Sequence, residues 1–277
     1  MGSDNYIWRD SYFTPQEMYF LSRSGNIKDL RKIRDLFPSL SVQDHLWRMN
    51  AAHVRFPNQE NNNGLEVIQN FLTKDEHQFV IDGFRDLVGT LNKQPRTMFK
   101  CDRILNKIAD AVREMTGLAD LENQMVDNTF YQKVVNSPQD NDVQKVFHMD
   151  TFFPAWKFWY FPMQSNGLKT GNFRYVRNSH LYDKKRVDFC SDILNQFYFG
   201  DADALDKDTL EGSFRITDEQ IEEMYPGERV ELVVPANTLV IANVFGFHSR
   251  GETQYETSRI ALHGSIRFDE PFKDRRN

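Results

Sequence analysis

Apolar residues recur at helical spacing through the first part of the chain. Thr14-Pro15-Gln16-Glu17 reads as a capping box with proline at the first helical position. Leu30, Ile33, Leu36 and Phe37 continue that spacing until Pro38 stops it. Residues 41–54 read as a third helix carrying Leu46, Trp47 and Met49, and Asn61-Asn62-Asn63-Gly64 reads as a turn. Residues 65–72 form a short predicted strand. Thr73-Lys74-Asp75-Glu76 then repeats the capping pattern and opens a helix with Phe79, Val80, Phe84, Leu87 and Val88 on one face. Ile104, Leu105, Ile108, Val112 and Met115 define one more helix, ended at Gly117.

Beyond residue 124 the pattern changes to short strands, predicted over 129–135, 145–151, 155–161, 172–176, 229–234, 238–244 and 259–268. Residues 183–226 interrupt them with an acidic, helical insertion. It is longer than a strand connection needs, so it is expected to act as a lid. Helices followed by many short antiparallel strands predict an α+β fold, a double-sheet jelly roll with helices packed on one sheet. The expected boundaries are a helical N-terminal extension over 1–63 and a main domain over 64–277. That domain divides into a strand and helical layer (64–123) and a strand-rich part (124–277).

Composition narrows the class. Of 277 residues, 40% are hydrophobic, enough for a sizeable core, and 23 are Phe. The net charge of −6 argues against a nucleic-acid partner, which would meet a basic face. The N-terminal stretch has no apolar core of a signal peptide, and no apolar run is long enough to span a bilayer. The two cysteines, Cys101 and Cys190, lack metal-type spacing and read as buried or idle thiols of a reducing compartment. The expectation is a cytoplasmic protein with a small-molecule substrate and no membrane partner; the oligomeric state stays open.

Candidate chemistry centres on Phe147-His148-Met149-Asp150. On a strand, His148 and Asp150 point the same way. The residues 233–241 read as strand, turn, strand, delivering His248 after Gly246. The three residues together make a two-histidine, one-carboxylate face that leaves other metal positions open. Arg259 opens a strand in which Arg259, Ala261, His263 and Ser265 alternate with Ile260, Leu262 and Ile266. The apolar face suits the helices, so Arg259 is expected inward, where a guanidinium needs an anion and can grip a carboxylate with two prongs.

These residues resemble the phytanoyl-CoA dioxygenase family of Fe(II)/2-oxoglutarate-dependent oxygenases. The resemblance rests on Phe147 to Asp150, on Gly171-Asn172-Phe173-Arg174-Tyr175-Val176-Arg177-Asn178-Ser179-His180, on Pro235-Ala236-Asn237-Thr238-Leu239-Val240 leading to His248 and Arg259, and on the strand and capped helix over 64–88. It covers about residues 64–268. It implies a double-stranded β-helix of cupin-like type, with His148, Asp150 and His248 binding Fe(II) and Arg259 binding the distal carboxylate of 2-oxoglutarate. It implies O2 as oxidant, succinate as product, and hydroxylation or another oxidation of the substrate. A carboxylate at Asp150 favours those outcomes over halogenation. The chain departs from the family pattern at Arg177-Asn178, where Pro-Gly is usual before Ser-His. It departs again at Arg250, where a serine often contacts the co-substrate; Ser249 lies one place earlier.

Further candidates are Tyr131 and Ser249 as co-substrate contacts and Trp156 and His180 as substrate contacts. Tyr131 shares a strand face with Lys133, and Trp156 shares one with Phe158 and Tyr160 that suits a core as well as a pocket wall. His263 reads as a hydrogen-bonding neighbour of the site, and His45, His53 and His77 carry no assigned chemistry. Two other readings stand beside the oxygenase: a catalytically inactive jelly-roll binding protein, and a cupin-type metal enzyme that does not use 2-oxoglutarate.

Overall fold

The computed structural model describes residues 30–54, 62–116, 125–139, 142–150, 155–165 and 167–267. The predicted helix start at Thr14, the stop at Gly117 and the strand ends at Thr151 and Phe268 lie outside the described residues. Two N-terminal helices, α1 (Leu30–Leu36) and α2 (Val42–Val54), precede β1 (Leu65–Gln69), α3 (Lys74–Asp86), β2 (Arg96–Met98) and α4 (Asp102–Thr116). There follow β3 (Met125–Asn136), β4 (Phe147–His148), β5 (Trp156–Phe161), β6 (Phe173–Val176), α5 (Lys184–Phe199), β7 (Arg215–Ile216) and α6 (Asp218–Met224). The chain continues through β8 (Arg229–Glu231), β9 (Thr238–Asn243), β10 (His248–Arg250) and β11 (Thr257–Arg267).

The strands form two antiparallel sheets, a larger one in the order β1-β9-β5-β11-β3-β2 and a smaller one in the order β7-β4-β10-β6-β8. From β3 to β6 the chain alternates between them, larger, smaller, larger, smaller. Three apolar layers result, because strand residues alternate between faces. Trp159, Phe161, Phe173, Tyr175, Val240, Ala242 and Ala261 fill the space between the sheets. Trp156, Phe158, Tyr160, Leu239, Ile241 and Leu262 face the other way and meet α3 and α4 through Val80, Phe84, Ile104, Ile108 and Val112. The helix α3 starts where the sequence predicts: Thr73 caps it and Glu76 completes the box. Glu76 also takes the Lys107 ammonium of α4 at 2.7 Å, which ties the two helices together.

The third layer differs from expectation. The outer face of the smaller sheet, Phe147, Val176, Ile216 and Phe247, is covered by α1, α2, α5 and α6 through Leu30, Ile33, Met49, Phe189, Leu194, Phe197 and Ile221. Helices therefore cover both sheets, and the N-terminal helices share one core with the insertion. The insertion is not a loose cover. Its Phe214 is fully buried, and its strand β7 extends the smaller sheet. Burying such a phenylalanine contributes about 1.5–3 kcal/mol, so several of them fasten the segment down. The predicted strand 145–151 is also shorter than expected, because a 3-10 turn over Val143–Lys145 leads directly into β4. Among the described residues, no helix is long and apolar enough to cross a membrane.

Candidate metal centre

His148 on β4 and His248 on β10 are direct partners in the smaller sheet. Their neighbours Phe147 and Phe247 belong to the outer layer, so both imidazoles point between the sheets. His248 also pairs with Tyr175 on β6, which lies in the interior layer. Gly246 lets this corner close: a Cβ there would run into the Tyr175 hydroxyl, which bonds the Asn243 carbonyl at 3.0 Å. Asp150 follows β4, and its backbone N–H donates to the Val244 carbonyl at 2.9 Å, which swings its carboxylate to the same side.

One ligand atom from each of His148, Asp150 and His248 lies within 4.8 Å of the others. Asp150 Oδ1 stands 3.7 Å from His148 Nε2 and 3.7 Å from His248 Nε2. The far side of each ring is anchored. His148 Nδ1 lies 2.8 Å from the Val146 carbonyl and His248 Nδ1 lies 3.0 Å from the Gly246 carbonyl. A carbonyl can only accept, so both Nδ1 atoms carry a proton and both Nε2 atoms face Asp150. His148 Nε2 is buried without a hydrogen-bond partner. Two imidazoles and a carboxylate, converging and held in orientation by the backbone, fit a divalent cation.

Electrostatics agree with that donor set. Burial, and then the adjacent His248, push the His148 imidazole down to about 3. It is neutral and metal-competent at physiological pH. Burial alone would raise the Asp150 carboxyl; Lys157 and the two imidazoles outweigh it and hold it well below the usual carboxylate range. Lys157 extends from β5, and its ammonium contacts Asp150 Oδ2. His263 stacks on Trp159 with ring centroids 5.1 Å apart and reaches the Phe158 carbonyl at 3.1 Å.

Arg259 pairs with Val134 and shares its face of β11 with the interior residue Ala261. It lines a cavity of about 250 Å3 with Phe161, Thr170, Asn172, Ser258 and Ile260. Burial, and then Arg250, push its guanidinium down to about 10, so it stays charged at neutral pH. Among the described residues no carboxylate or other acceptor reaches it. Arg250 is occupied differently, in an ion pair with Asp142 at 2.5 Å.

Four other predicted contacts fall elsewhere. Tyr131 packs between Phe84 and Phe99 on the helical side of the larger sheet, opposite Leu262 in register. Trp156 is buried in that same helical layer. Both alternate as strand residues do, and both take the face that meets the helices. Ser249 points away from His248 and accepts from Arg174 Nε at 2.9 Å. His180 is fully buried against the Gly64 turn. Sequence reasoning missed Lys157 and Arg215. Lys157 interrupts an otherwise apolar and aromatic strand, Trp156–Phe161, and that lone charge is a readable signal. Arg215 gave none, because β7 lies inside a segment read as helical.

Neither a protein-family model nor a curated protein sequence matches the chain. Solved structures do resemble it. One is the epimerase SnoN in complex with Fe3+, alpha ketoglutarate and nogalamycin RO: 15% identity over 78% of this chain and 84% of that one, TM-score 0.47. Another is HygX from Streptomyces hygroscopicus with nickel and 2-oxoglutarate bound: 10% identity over 76% and 85%, TM-score 0.43. A third is the carbocyclase SnoK from nogalamycin biosynthesis: 15% identity over 77% and 81%, TM-score 0.43.

Proposed function

We propose that this chain is an Fe(II)- and 2-oxoglutarate-dependent oxygenase of the double-stranded β-helix type that oxidises a small molecule. The observation that carries the reading is the convergence of His148 Nε2, His248 Nε2 and Asp150 Oδ1, with both Nδ1 atoms tied to backbone carbonyls. Fe(II) with 2-oxoglutarate would supply O2 activation here, with the co-substrate spent as succinate and CO2 as the substrate is oxidised. The chain's own residues do the rest. His148, Asp150 and His248 would hold the ion, and three protein ligands would leave it able to take further ones. Arg259 receives the distal carboxylate of 2-oxoglutarate in its fork. Trp159, Phe173 and Ala261 keep that space apolar and short of water.

The Lys157–Asp150 contact favours a second reading, in which the carboxylate is satisfied by the lysine and the chain is a metal-free binding protein. One assay separates the two. The full chain, supplied with Fe(II), ascorbate, 2-oxoglutarate and O2, should release succinate slowly even without its substrate. Asp150→Ala should release none above the metal-only background. Equal succinate from both proteins would remove the oxygenase reading.

A further inference from the structure

Arg215 is the residue of the insertion that the metal centre leaves unexplained. It stands directly opposite His148 in the β4–β7 ladder. Residues directly opposite in an antiparallel pair share a face and sit with Cβ atoms about 4.5–5.5 Å apart. The other pair of that ladder, Phe147 and Ile216, belongs to the outer layer, so Arg215 shares the interior face with His148. The register defines a row across the smaller sheet: Arg215, His148, His248, Tyr175, Val230.

The guanidinium is largely buried, at 14% side-chain exposure, and only partly used. Its Nη2 meets Asp208 of the insertion at 2.8 Å, while its Nη1 is buried and has no hydrogen-bond partner. A buried charged donor left unsatisfied is costly, so Nη1 in this arrangement calls for an acceptor. Lys157 supplies a second cation on the interior face from the larger sheet. A divalent ion taken up by Asp150 would repel that ammonium and free it to turn toward the same space. Arg259 is already assigned to the co-substrate, and one dicarboxylate does not need all three cations.

We infer that Arg215 Nη1, assisted by Lys157, binds an anionic group of the substrate, a phosphate or a carboxylate, beside the metal centre. This inference rests on the oxygenase reading for the word substrate; the anion subsite itself does not need the metal. Asp208 on Nη2 holds the fork in place, and its charge offsets part of the guanidinium's pull on the anion.

The test is calorimetric titration of the full chain with phenyl phosphate, benzoate and benzyl alcohol, alone and with Mn(II) plus 2-oxoglutarate. At least one anion should bind and the neutral alcohol should not; which anion binds separates phosphate from carboxylate. Arg215→Gln should weaken that anion roughly tenfold or more, as expected for losing a charge-assisted hydrogen bond. Arg259→Gln should change it less than about twofold while losing 2-oxoglutarate. Asp208→Asn guards against a folding artefact: it keeps Arg215 and should tighten the anion about threefold or more by removing a like charge beside it. The inference is overturned if no anion binds, if the alcohol binds as well as the anions, if Arg215→Gln binds like the parent, or if the loss follows Arg259→Gln instead. Anion binding that tracks Arg215 in a chain that takes up neither Mn(II) nor 2-oxoglutarate would uphold the subsite and remove the oxygenase reading.

Discussion

His148 and His248 face each other across adjacent antiparallel strands in direct register, with ring centroids 4.5 Å apart. Each ring is held by a backbone carbonyl two residues earlier, just ahead of its strand. The pair is built to aim both Nε2 atoms at Asp150.

Arg259 should control the affinity for the co-substrate without affecting the metal. Arg259→Lys replaces a planar fork with a point charge, and Arg259→Ala removes the charge. Losing a buried charged hydrogen-bond pair costs about 2–5 kcal/mol, with the alanine variant at the upper end. Anaerobic calorimetry of 2-oxoglutarate with Mn(II) present checks this. Parental affinity in both variants would mean that the cavity beside Arg259 does not hold the co-substrate.

Tyr131→Phe should leave 2-oxoglutarate affinity within about twofold, because distant, unshared sites act independently. The ring faces Phe84 and Phe99, on the far side of the sheet from Arg259. A larger loss in the same titration would place the Tyr131 hydroxyl back in the site.

Acid should destabilise the fold early. Burial pushes His45 down to about 4, and burial followed by Lys157 pushes His263 down to about 3. Unfolded, both return to about 6.5. Below that value the unfolded chain binds more protons than the folded one, so stability is complete above it and declines as pH falls toward 4. Each histidine contributes a slope of roughly 1.4 kcal/mol per pH unit once it titrates. Urea unfolding at several pH values between 7.5 and 5 measures it, and His45→Leu should remove its own share of the slope. A flat profile would show that these rings are not buried neutral.

Gly64 takes a φ of 83°, and a Cβ there would strike the Tyr175 hydroxyl and the His180 ring. Gly64→Ala should therefore cost about 2–4 kcal/mol, from strain at positive φ and from overpacking. Because Tyr175 is the register partner of His248, metal affinity should fall with it. Denaturant titration and Mn(II) binding on the same variant check both, and an unperturbed midpoint would show that the turn is looser than its packing.

Much of this arrangement is legible in the sequence, and the reasons are local. His148 and Asp150 are two apart, Thr73 and Glu76 are three apart, and Arg259 alternates with apolar residues; each of these signals lies within a few residues. What was not legible is set by long-range pairing. Tyr131 and Trp156 obey the period-two rule, yet the rule does not say which face meets helices; α3 and α4 decide that. Arg215 became part of the site only because β7 pairs with β4, across more than sixty residues of chain. Two residues of strand inside a helical segment carry no periodicity to detect. The N-terminal helices read as an extension because nothing in their spacing reveals that Leu30, Ile33 and Met49 pack with Phe189 and Phe197.

The central claim is that His148, Asp150 and His248 hold one divalent metal. It is tested most directly by anaerobic equilibrium dialysis of Fe(II) against the full chain and the His148→Ala, Asp150→Ala and His248→Ala variants, each checked for native circular dichroism. The parent should bind one ion per chain, and each variant should lose about 100-fold or more in affinity, above the 10–100-fold typical of residues that merely support a ligand. Three folded variants that bind Fe(II) as tightly as the parent would contradict the account.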